Sequence, residues 1–122
     1  MKKQSIWSED GKDANYQWYR SRDSFQDLRN WADKAYYENG LSQYLDSNFL
    51  TQLRDYDFFA RLWELKVAEY LKSTELAMTA TNGIGPDFCV KIEDTKIWVE
   101  AILTTPDKEL IQIHEYAIKS EA

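Results

Sequence analysis

Asp87 precedes the strand-like run FCVKI at 88–92, Glu100 lies within a second, KIWVEAIL at 96–103, and a tight turn around Glu93 and Asp94 joins the two. A two-residue hairpin loop there pairs Ile92 with Thr95 and Lys91 with Lys96. Carried outward, the same register sets Asp87 opposite Glu100. Directly opposed side chains on one sheet face have Cβ atoms roughly 5 Å apart, so like charges repel unless a cation stands between them. Carboxylate oxygens suit hard divalent ions such as Mg²⁺, Mn²⁺ or Ca²⁺. The chemistry these two residues offer is therefore metal binding. The plain alternative is that Asp87 starts a strand after a turn and Glu100 is a solvated strand residue.

Alternation supports the register. Phe88, Val90, Ile92, Ile97, Val99 and Ala101 would share one face, as a core-facing surface requires. Asp87, Cys89, Lys91, Lys96, Trp98, Glu100 and Ile102 would share the other. Asn82-Gly83 reads as a turn after a first strand, ELAMTAT at 75–81. The glycines of GIGP let the backbone bend into the second strand. They lead into a strand, whereas a phosphate-binding loop would lead into a helix.

Ahead of these strands, FFARLWELKVAEYL at 58–71 reads as a helix with a broad buried face that includes Phe58, Phe59, Leu62, Trp63, Leu65, Val67, Tyr70 and Leu71. Glu64 borders that face. A carboxylate at such a margin needs a partner if buried. Arg61 or Lys66 can supply a surface pair, or the side chain can lean over the sheet toward Asp87 and Glu100.

Three segments in this order, the helix with Glu64, GPDF at 85–88 and WVEA at 98–101, resemble the PD-(D/E)xK nuclease superfamily. The resemblance covers roughly residues 55 to 105. It implies a restriction-endonuclease-like core in which Asp87 and Glu100 bind Mg²⁺ or Mn²⁺, Glu64 assists, and a nucleic acid, DNA or RNA, is the substrate. The family's Lys two residues after the strand acid is absent, because position 102 is Ile. Some members take that basic residue from the second core helix, which makes Lys119 the matching candidate here. The family's final strand has no counterpart before Ala122 unless residues 109–114 supply it.

Composition sets wider bounds. A chain of 122 residues, 43% hydrophobic, fits a single domain over 1–122, with a helical part to about 55 and a nuclease-like core after it. No run approaches the roughly 20 apolar residues of a membrane span, and the start MKKQSIWSEDGKD lacks the apolar stretch of a secretory signal. One cysteine, Cys89, and one histidine, His114, exclude an internal disulfide and a His/Cys zinc site, and a reducing cytoplasm is expected. A net charge of −6 argues against whole-surface binding of polyanions.

The aromatic residues of the first half suit packing better than base stacking, because Phe25, Leu28, Ala32, Ala35 and Tyr36 follow helical spacing over about 23–38. Ser21, Asp23 or Ser24 can cap that helix, and Asn39-Gly40 supplies a left-handed stop. A second helical stretch over about 41–55 has Ser47 as a candidate cap, and LIQIHEYAIKSEA at 110–122 reads as a last helix. The fold expected is thus α+β: N-terminal helices, a small antiparallel β-meander and a C-terminal helix. The function expected is metal-dependent phosphodiester hydrolysis or a degenerate, inactive descendant of it. The rival reading is a small protein-interaction or regulatory protein without catalysis.

Overall fold

The computed structural model describes residues 4–79, 81 and 85–103. Polar and apolar patterning resolves into four helices, α1 (Ala14–Ser21), α2 (Gln26–Asp33), α3 (Phe49–Asp55) and α4 (Phe58–Ser73), followed by three strands, β1 (Ala77–Thr79), β2 (Phe88–Ile92) and β3 (Thr95–Val99). The strands form an antiparallel sheet in the order β1-β2-β3. The α+β class and the meander agree with the sequence reading. None of the described helices is long and apolar enough to cross a membrane.

The helical stretch read over 23–38 is continuous but not uniform. A 3-10 turn at Asp23–Phe25 leads into α2, and Lys34–Glu38 widens to a π turn, in which Asn39 N donates to Lys34 O at 2.8 Å. Ala32 and Ala35 are buried along the expected stripe. Gly40, at φ 71°, then reverses the chain as the Asn-Gly pair implied. No side chain caps the start of this stretch: Arg22 precedes it, and its guanidinium has no acceptor to offer the first amides. The 41–55 stretch divides into a 3-10 turn at Leu41–Tyr44 and the short α3. Between them Asp46, not Ser47, closes the turn by accepting Asn48 N at 2.9 Å.

α1 had no clear signal in the sequence, since only Tyr16 of its residues is buried. Asp13 starts it by accepting the amides of Asn15 and Tyr16 at 2.8 and 3.1 Å. The other oxygen of the same carboxylate accepts Phe58 N at 3.3 Å, at the first turn of α4. The N-terminal chain also lies flat on α3. Arg54 O sits 2.4 Å from where a Cβ on Gly11 would be, so only glycine fits there.

One cluster of buried side chains joins these helices to the sheet, with Ile6, Tyr16, Phe49, Leu53, Phe58, Leu65, Phe88 and Val90 near its centre. α4 turns Phe58, Leu65, Ala68 and Leu71 inward. Trp63 and Phe59, expected inside, are 42% and 40% exposed. Apolar residues occur on several sides of the helix, so composition alone left its orientation open; Phe58, Leu65, Ala68 and Leu71 join the core cluster, with Phe58 against Trp7, Tyr16 and Tyr19. The hairpin register is as expected, with Ile92 facing Thr95 and Phe88 facing Val99 across a turn whose Glu93 has φ 55°. The core face is shorter than its apolar run: Phe88 and Val90 are buried, while Ile92 and Ile97 near the tip stand exposed.

Candidate functional site

β3 ends at Val99, so Asp87 and Glu100 occupy the first positions beyond the paired residues Phe88 and Val99. The register therefore brings them to the same end of the β2-β3 ladder. Gly85, at φ 81°, and Pro86 turn the chain into this end. Asp87 is half-buried and held, because its Oδ2 accepts Ala101 N at 2.9 Å. That bond satisfies a backbone amide freed where β3 stops pairing. Glu100 is exposed, and none of the described residues bonds to its side chain.

Glu64 lies on α4. It is only 7% exposed, and its Oε2 accepts Arg61 Nη1 at 2.9 Å. The surface pair with Lys66 is not formed; Lys66 bonds Glu69 instead, at 2.9 Å. Arg61 also donates to Asp46 Oδ2 at 3.2 Å and to Gln52 Oε1 at 2.9 Å, so one guanidinium joins α4, α3 and the turn before it. Sequence reading had Arg61 as a possible partner for Glu64. Asp46, the second acidic partner of Arg61, lies fifteen residues away, beyond the reach of helical spacing.

The electrostatics follow from this packing. Burial pushes the Glu64 carboxyl up to about 7 from its ordinary 4.5; Arg61 opposes the shift, and the nearby Asp87 charge adds to it. The Arg61 guanidinium is itself raised: burial works against its charge, but Glu64 and Asp46 outweigh burial.

Three carboxylates do not merge into one cluster. Among the described residues, no three His, Cys, Asp or Glu side chains come close enough together to hold a metal ion. Asp87 keeps one oxygen free of the bond to Ala101, and Glu100 faces solvent. Two carboxylates suffice for Mg²⁺ when water and a substrate phosphate complete its shell, and Asp87 and Glu100 are two at this end of the ladder. Lys119, His114 and the segment expected to form a last helix lie outside the described residues. Compared with protein families, curated proteins and solved structures, the chain matches none.

Proposed function

We propose that this chain is a nuclease-like domain of the PD-(D/E)xK type, in which Asp87 and Glu100 hold one Mg²⁺ or Mn²⁺ and Glu64 stands behind them. The observation that supports the reading is the hairpin register, which sets Asp87 and Glu100 at the same end of the β2-β3 ladder; Glu64 is buried on α4, and after burial the Asp87 charge adds to the rise of its pKa. When bound, such an ion supplies an activated water and neutralises charge at a scissile phosphate. The chain's own residues contribute position. Ala101 N fixes Asp87, and the hairpin register brings Glu100 to the same sheet end.

A specific observation favours the second reading, a non-cleaving interaction protein. Arg61 already neutralises Glu64, and Ile102 stands where the family has Lys. A general base or its equivalent is commonly worth on the order of 10²- to 10⁴-fold in rate. Incubation of the purified chain with single- and double-stranded DNA and RNA, in Mg²⁺ or Mn²⁺, separates the readings. Cleavage lost in Glu100→Gln supports the nuclease, and Lys119→Met then tests the borrowed cation. Silence of the wild type toward every substrate, with activity gained in Ile102→Lys, points to a scaffold that has lost its chemistry.

A further inference from the structure

β3 is paired on one side only: β2 occupies its inner edge, and among the described residues no strand occupies its outer edge. Thr95, Lys96, Ile97 and Trp98 are all exposed, with Ile97 at 41% and Trp98 at 53%. An unpaired edge offers a row of amides and carbonyls to any extended segment, and large apolar side chains beside it favour such pairing. The charges along this edge decide what fits it.

Two copies related by a twofold axis place residues equidistant from the axis opposite one another. With the axis at Ile97, Asp94 meets Glu100 twice, two like-charged oppositions. With the axis at Lys96, the two ammonium groups face each other. With the axis at Val99, Trp98 meets Glu100 and Lys96 meets Ile102. Only an axis at Trp98 sets Lys96 against Glu100 at both ends, with Ile97 against Val99 and the two indoles side by side. Opposite charges directly across a ladder stabilise it, and like charges there destabilise it.

We propose that the outer edge of β3 docks a second copy of this chain, antiparallel about Trp98, with Lys96 of each copy facing Glu100 of the other. Lysine on an edge strand ordinarily discourages self-pairing; here it selects the register. The pairing does not depend on the metal reading, and its test uses neither metal nor nucleic acid.

Sedimentation velocity through the micromolar range reads the outcome. The wild type is expected to dimerise, Lys96→Glu and Glu100→Lys each to weaken the dimer by at least about tenfold, and the double reversal to restore it. Both positions are exposed, and circular dichroism checks that each variant stays folded. An independent measurement needs no charge change: Trp98→Cys puts a thiol on the axis, where directly opposed residues meet the spacing of a disulfide. Oxidation should then give a covalent dimer, since the chain's own Cys89 is buried. A monomeric wild type, a dimer indifferent to single reversal, a double reversal that stays monomeric, or growth beyond two copies would each overturn the proposal.

Discussion

Arg61 donates to Glu64 at 2.9 Å across one turn of α4, and the pair is nearly enclosed, with side-chain exposures of 17% and 9%. A guanidinium so placed is a structural counterion for a carboxylate that would otherwise be stranded. Asp46 and Gln52 accept two more of its N–H groups. The long helix is thereby fastened to α3 and to the turn before it through one side chain.

Removing that counterion should be costly. Arg61→Met leaves Asp46 and Glu64 without their shared partner and should lower stability in urea unfolding by on the order of 3 kcal/mol. Adding Glu64→Gln should recover part of the loss, because the stranded charge is gone; a double-mutant cycle measures the coupling.

Glu64 also sets a pH dependence. Its pKa is about 7 in the folded chain against an ordinary 4.5, so between those values the folded state holds a proton that the unfolded state has released. The associated stability is fully present below the ordinary value and is lost as pH rises through the folded one. The whole effect is on the order of 3 kcal/mol. Urea midpoints measured across this window should fall with pH in the wild type and fall less in Glu64→Gln.

Asp87 has two tasks that one substitution can separate. Its Oδ2 accepts Ala101 N, a role that an amide oxygen can also fill. Asp87→Asn should therefore unfold at nearly the wild-type urea concentration, yet lose any Mn²⁺ heat seen in isothermal titration. Asp87→Ala should lose both. A titration unchanged in Asp87→Asn would remove the metal site from consideration.

The two sides of α4 should differ in their tolerance to truncation. Phe58 is 1% exposed and packs edge-on to Trp7 and Tyr16, so Phe58→Ala should cost about 3 to 5 kcal/mol. Trp63 is 42% exposed, and Trp63→Ala should cost on the order of 1 kcal/mol. Paired chemical unfolding curves distinguish the orientation observed from one with Trp63 inside.

The hairpin was legible in the sequence because period-two alternation and a two-residue loop together fix a register, and a slip by one residue would reverse every face. Asp87 and Glu100 fell into place with it. Glu64 was legible as a boundary residue, but the direction α4 faces was not. Phe59 and Trp63 are as apolar as Phe58 and Leu65, and only tertiary packing, such as that of Phe58 on Trp7 and Tyr16, distinguishes them. α1 escaped notice because seven of its eight residues remain outside the core. The Arg61 network depends on Asp46 and Gln52 arriving from another element, a relationship that no local spacing encodes.

The carboxylate of Asp13 has a consequence for motion. With one oxygen on the first amides of α1 and the other on the first amide of α4, neither helix can unravel from its N-terminal end without releasing a bond that belongs to the other. Opening is then a shared event. Amide hydrogens in the two first turns should exchange with solvent at matched rates, as members of one cooperative unit. The acid on α4 is thus held in place by an aspartate that lies outside every motif, more than forty residues before it in the chain.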